Sequence, residues 1–261
     1  MQADFFAKKR RNSFIYFALL IFLTWGAITV TEYDVIKGFT SIPKAVEWTF
    51  SNFYPNEKAM TKLPDILKTL VETVLVSIAA TTVAALFALL CAILGSNTTG
   101  INGIFSSFSR AVAALFRNID VAAWSMILLF SFGQNVLTGY FALFFGTFGF
   151  LTRAFMESID EVSQSSVEAL RATGAGYFPI IFQSVIPASM PQLLSWILFM
   201  VETNIRHATL IGILTGTGIG FLFSLYYKSL NYSSASLVVI VIVAAILIIE
   251  YISNYVRRVI L

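Results

Sequence analysis

The chain has 261 residues, 57% of them hydrophobic and 12% charged, with a mean hydropathy of +0.81 and a net charge of +3. A water-soluble domain carries about 25% charged residues, so this composition excludes a soluble domain and identifies an integral membrane protein. A single cysteine, Cys91, and a single histidine, His207, exclude an intrachain disulfide and any metal site built from several such ligands.

Inside lipid every backbone polar group must be satisfied, which leaves helices or a closed barrel. The apolar runs here far exceed the roughly 10-residue alternating strands of a barrel. Lys8, Lys9, Arg10 and Arg11 precede the run from Phe14 to Val30, 17 residues long. As a helix that run is about 26 Å long, enough for one crossing. No A-x-A-like cleavage site follows it, so residues 1–31 read as a basic amino terminus and an uncleaved first span. Residues 32–68 are polar, with five acids balanced by five lysines, and read as an outer segment. Within it, Ile42 to Phe50 fits either an interfacial helix, with Trp48 and Phe53 at headgroup level, or a plain connector.

Residues 69–261 form the core. The second helix is predicted over Thr69 to Leu94, followed by a Gly/Ser/Asn/Thr loop to Gly103. The third covers Ala111 to Phe132 and is interrupted by Arg117, Asn118 and Asp120. The fourth runs from Val136 to Met156, and a polar loop segment occupies about 157–187. The fifth runs from Met190 to Leu214 and the sixth from Ala235 to Tyr255. The fold class is therefore all-α and polytopic, with about six transmembrane helices. Both termini fall in the cytoplasm, together with Arg110, Arg153, Arg171, Arg257 and Arg258, as the positive-inside rule asks. No internal repeat is visible, so any two-fold symmetry must come from a second subunit. That argues against carriers built on inverted repeats.

The polar segment holds the chemistry. Ser165-Ser166-Val167-Glu168 has the form of a capping box. Gly174 stands where a helix C-cap glycine belongs, and Pro179 suits the first turn of a following helix. The pattern predicts a short helix, a tight turn and a second short helix; in the plainest reading Glu168 only caps. Further along, Glu202 and Arg206 are four apart and share one helix face. A charge at the bilayer centre costs at least about 2.5–3.5 kcal/mol, so the two are predicted to pair, either as a pathway or gate element or as a structural bridge. Arg206 in the pathway would meet an anionic substrate. His207 points about 100° away from Arg206 and reads as a packing residue. Arg117 and Asp120 are predicted to pair, and Glu72 and Glu250 to reach the interface. Gly216-Thr217-Gly218-Ile219-Gly220 lacks the βαβ context of a nucleotide loop, and no G-x-x-x-x-G-K-[ST] occurs. Those glycines predict a helix break or close helix contact at the outer end. No catalytic residue set is present, so the chain does not read as an enzyme.

Glu168-Ala169-Leu170, three residues, Gly174, twelve residues and Pro187 keep the spacing of the coupling loop of ABC-importer permeases. Leu170, Ser184 and Ile186 replace that motif's usual Ala, Ile and Leu. Glu202-Thr203-Asn204-Ile205-Arg206-His207-Ala208-Thr209 and the glycine run extend the likeness. From about Thr69 onward the chain resembles the phosphonate-type permeases of that class. One departure is Arg117-Asn118-Ile119-Asp120, where the family usually has R-x-I-P; no proline is available to kink the third helix. The resemblance implies a type I importer permease fold in a bacterial cytoplasmic membrane. It implies a pore formed with a second copy or paralogue, and two ATPase subunits that bind ATP and Mg. The lipid bilayer is the surrounding partner, and no nucleic acid or cofactor is implied for this chain. The ATPases would engage Glu168, Ala169, Leu170, Arg171, Ala172, Thr173, Gly174 and Pro187. An external binding protein would deliver phosphonate, phosphite or a similar oxyanion. Glu202, Asn204, Arg206, Gly216, Gly218 and Gly220 would line or gate the pathway, with Arg117, Asp120 and His207 as further candidates. Two alternatives stand: a permease of the same build for methionine or an organic anion, and an ATPase-independent channel or carrier using Glu202, Arg206 and His207.

Overall fold

A computed structural model describes residues 2–260; the side chains of residues 2–8 and 162–164, Lys8 and Ser163 among them, lie outside that description. The described residues are almost entirely helical and divide into two units, parted between Phe53 and Tyr54. The first unit contains α1 (Gln2–Val30) and α2 (Val35–Asn52). Within α1, Lys9–Val30 is long and apolar enough to cross a membrane. Asp34 caps α2, its carboxylate accepting the Lys37 N–H at 2.9 Å.

The second unit contains α3 (Glu57–Met60), α4 (Leu63–Gly95), α5 (Gly103–Asn118), α6 (Val121–Phe132) and α7 (Val136–Ala172). It continues with α8 (Tyr177–Ile180), a π-helical turn (Ile181–Val185), α9 (Ile186–Thr215), α10 (Gly218–Lys228) and α11 (Tyr232–Ile260). Five helices of the described chain are long and apolar enough to cross a membrane, and α5 with α6 makes a sixth if that bent pair is one span. The expected all-α, multi-spanning class is what the backbone adopts.

Several boundaries differ from expectation. α4 begins six residues early, because Pro64 sits in its first turn, where a missing N–H leaves nothing unsatisfied. The predicted third helix is two helices meeting at a 90° bend. α7 does not end near Met156; it continues to Ala172. No proline interrupts it, Arg153 and Glu157 pair across one turn at 2.6 Å, and its apolar face persists through Phe155, Ile159 and Val167. The predicted capping box is therefore unused: Ser165 and Glu168 lie inside a continuous helix. The glycine run after α9 leads directly into α10, a helix that the sequence reading did not assign.

The core lies between α4, α7 and α9. Ala84, Ala88 and Ala92 present a small-residue stripe from α4, and Leu151, Phe155, Val185 and Leu193 fill against it. Small side chains let helix backbones approach, the means of association when lipid removes a hydrophobic driving force.

Candidate coupling turn and intramembrane polar cluster

The turn after α7 is built as sequence chemistry asks. Gly174 takes a left-handed backbone, φ +80°. The Ala175 N–H returns to the Leu170 carbonyl at 3.2 Å and the Gly174 N–H to the Arg171 carbonyl at 3.0 Å. This is the Schellman arrangement, and Leu170 and Ala175 both pack on the core beneath it. Tyr177 then restarts the helix, with Pro179 in its first turn. The π turn closes just before Pro187; a wider turn suits the point where proline removes one N–H from the ladder. Ile180, Ile181 and Val185 point inward. Glu168, Ala169, Arg171, Ala172, Thr173, Gly174 and Pro187 are exposed, and Leu170 is half-buried.

Sequence reasoning missed two groups here. Phe178 and Phe182, one turn apart, are 70% and 64% exposed at the tip of the same element. The alternation of buried Ile180 and Ile181 with these rings was the signal. The second is Asp160. Its carboxylate accepts from Ser96 Oγ at 2.5 Å, Thr98 N and Thr98 Oγ1 at 3.0 Å, Asn97 Nδ2 at 3.0 Å and Asn97 N at 3.2 Å. Arg171 adds a bond to the Thr98 carbonyl at 2.9 Å, and Arg110 reaches Gly95 O at 2.8 Å and Asn97 Oδ1 at 2.6 Å. The α4–α5 loop is thereby fastened to the carboxyl half of α7. No motif marks Asp160 in advance, because its partners lie more than sixty residues away.

Residues 202–207 of α9 gather polar groups from four other parts of the bundle. Glu202, its side chain only 9% exposed, pairs with Arg206 as predicted and also accepts from Arg257 Nη2 at 3.1 Å. Arg257 comes from the last turn of α11 and also donates to Ser253 Oγ at 2.9 Å. The carboxylate is therefore joined to the last turn of α11, not to its middle. Asn204 is fully buried; its amide donates to Thr81 Oγ1 of α4 at 2.8 Å and Thr147 Oγ1 of α7 at 2.6 Å. In this conformation it ties three helices together and faces no open channel. His207 is half-buried with an unpartnered Nδ1, and the charges of Asp120 and Arg206 act on its ring.

Arg117 and Asp120 form no ion pair; the described residues place each at its own helix end. Arg117 is in the last turn of α5, and Asp120 caps α6 by accepting the Ala122 N–H at 2.8 Å. Each charge suits the helix dipole it meets. The bend that the missing proline left without a cause is thus made by an aspartate cap. It rests on α7, where a side chain at Gly149 would collide with the backbone of Phe116 and Arg117. Phe116 stacks on Trp124 at 5.3 Å and meets Phe145 at 5.0 Å, which pins both arms.

At the far end of α9, Gly216 and Gly218 have φ of +70° and +65°. Gly220 passes so close to Thr209 that any Cβ would strike its carbonyl. The first turn of α10 is capped from another helix, Thr73 Oγ1 accepting the Ile219 N–H at 3.0 Å. A cavity of about 60 Å³ opens beside it, lined by Glu72, Thr73, Gly139, Ala208, Thr217 and Gly218. Nearby, Lys62 lies over the Tyr226 ring at 4.4 Å, and burial together with the Asp65 charge pushes that phenol's pKa up.

Residues 84–260 match the model of the family described as binding-protein-dependent transport system inner membrane component. The chain is 26% identical over 193 residues to the phosphate-import permease protein PhnE of Mycolicibacterium smegmatis, covering 74% of this chain but only 36% of that protein's length. It is 26% identical over 253 residues to a putative phosphite transport system permease, HtxC, of Stutzerimonas stutzeri, covering 97% of this chain and 89% of the relative. Among solved structures, an inward-facing MetNI methionine ABC transporter chain superposes with a TM-score of 0.67 at 18% identity, covering 79% of this chain and 99% of that one.

Proposed function

The chain belongs to the binding-protein-dependent transport system inner membrane component family, and from that premise we propose that it forms the translocation pathway for a phosphorus oxyanion: phosphonate, phosphite or phosphate. It is a multi-pass membrane protein with the fold of ABC-importer permeases. The proposal places both termini in the cytoplasm, a second permease chain beside it, and two ATPase subunits on the turns after α7. ATP and Mg belong to those subunits, and the chain itself is no enzyme. A binding protein hands over the substrate from outside.

The observation that carries this reading is the exposed turn itself. It has a rigid, hydrogen-bonded reversal at Gly174, two exposed apolar rings at Phe178 and Phe182, and a buried root in the core. A soluble subunit that receives those rings can push on the bundle without loosening the turn, and ATP binding then biases a two-state bundle between inward and outward forms. Glu202, Arg206 and Arg257 bring two cations to one carboxylate. The surplus positive charge suits passage of an anion. The relatives named for phosphate and phosphite support that substrate class.

Uptake by proteoliposomes holding the chain with its ATPase and binding protein tests the proposal. ATP-dependent entry of phosphonate, phosphite or phosphate is expected. Its loss in a Phe178→Ser/Phe182→Ser double variant that still folds assigns the rings to coupling. Unchanged oxyanion uptake by Arg206→Leu would refute the role given to that side chain. A second reading, a permease for methionine, is favoured by the superposition on the methionine transporter; competition by methionine but not by oxyanions would select it. Uptake without any ATPase would overturn both.

A further inference from the structure

We propose that α2 lies flat in the membrane–water interface from which α1 emerges, with one face sunk to the boundary of the acyl chains. No residue of this 18-residue helix is buried. At 100° per residue, Val35, Ile36, Phe39, Ile42, Val46 and Phe50, with Pro43 among them, fall within an arc of about 120°. Large side chains on that arc are bare: Ile36 is 77%, Phe39 70% and Phe50 79% exposed. Lys37 and Lys44 stand on the opposite side, and Glu47 marks the margin. Trp48 falls on the polar side of the helix.

Three observations select lipid as the occupant of this face. α1 is an apolar span ending at Val30, and only residues 31–34 separate it from α2. Four residues reach at most about 14 Å, so the start of α2 is tethered close to the bilayer surface. Glu32, at φ +51°, turns the chain out of α1, with the Tyr33 N–H returning to the Ile28 carbonyl at 3.2 Å; α2 therefore does not prolong the span. Finally, a charge-free apolar arc backed by lysines and small polar residues is the composition of an in-plane interfacial helix. A helix with that pattern cannot cross the bilayer, and its apolar residues gain nothing by standing in water.

The test uses the full chain in vesicles of phosphatidylcholine and phosphatidylglycerol. In a Cys91→Ser background, single cysteines at 36, 39, 46 and 50, and at 37, 40, 44 and 51, carry a nitroxide. Collision with oxygen, which partitions into lipid, is compared with collision with a water-soluble nickel chelate. The first group should favour oxygen severalfold and the second nickel, with a period near 3.6 residues. Equal nickel access at all eight positions would show a plain solvated connector. Shielding of the apolar positions from both relaxants would show a protein covering the face. Either result overturns the proposal.

Discussion

Gly174 offers the sharpest test of the coupling turn, because the structure separates backbone strain from crowding. A Cβ built there has no atom within 4 Å, yet φ is +80°. Gly174→Ala therefore introduces no clash and costs only the left-handed backbone, about 1–2 kcal/mol. Asn tolerates that region better and should cost a fraction as much. Pro fixes φ near −65° and removes the N–H that reaches the Arg171 carbonyl, so it must break the reversal outright. Arg171 lies in the last turn before the glycine, which supplies the assay: limited trypsin digestion in detergent. Cleavage after Arg171 follows the population of the locally open turn when opening is fast. The alanine cost then predicts cleavage about 5- to 30-fold faster, Asn close to wild type, and Pro cleaved at the rate of an unstructured site. Equal rates for all four chains would show that the left-handed turn does not hold this segment closed, and the Schellman argument would fail.

Asp160→Asn should release the α4–α5 loop, because the new amide turns donors toward the donors of Ser96, Asn97 and Thr98. A hydrogen bond to a charged group contributes about 1.5–3 kcal/mol, and partial exposure of Asp160 favours the lower end. Amide exchange at Thr98 and Thr99 should rise on the order of tenfold, and exchange at wild-type rates would refute the anchoring role. Asn204→Leu removes two buried bonds and should lower stability in detergent by about 0.5–2 kcal/mol; a chain as stable as wild type would make the three-helix tie dispensable. Gly220→Ala should cost about 1–3 kcal/mol through forced backbone separation, whereas Gly103→Ala, where nothing lies within 4 Å, should leave the melting temperature unchanged. A reversed order would contradict the close packing of α9 on α10.

What the sequence made legible was local. Gly174, with its flanking helix formers, announced a helix end; the four-residue spacing of Glu202 and Arg206 announced a pair; the apolar runs announced the spans. What stayed hidden depended on distant partners. Nothing near Glu202 points to Arg257, which is 55 residues away. Asp160 reads as an unremarkable surface acid until the α4–α5 loop folds onto it. The capping box misled because a good N-cap pattern binds only where the helix is otherwise free to start, and α7 had no reason to stop. The bend after Asn118 was obscured for the opposite reason: the residue type expected to cause it was absent, while Asp120 made it by capping.

The unbroken course of α7 sets the scale of any movement the bundle transmits. Thirty-seven residues make a rod about 55 Å long, stiffened by core contacts along much of its length. Pivoted at its middle, a tilt of 5° would carry each end about 2.4 Å in opposite directions, by simple trigonometry on that length. A side-chain-sized displacement at the Phe178 tip can therefore appear, reversed, beside Gln134 and Gly216 with no helix unwinding between. The stroke is fixed by length and pivot, so moving the pivot away from the middle would change the ratio of the two strokes without altering either end.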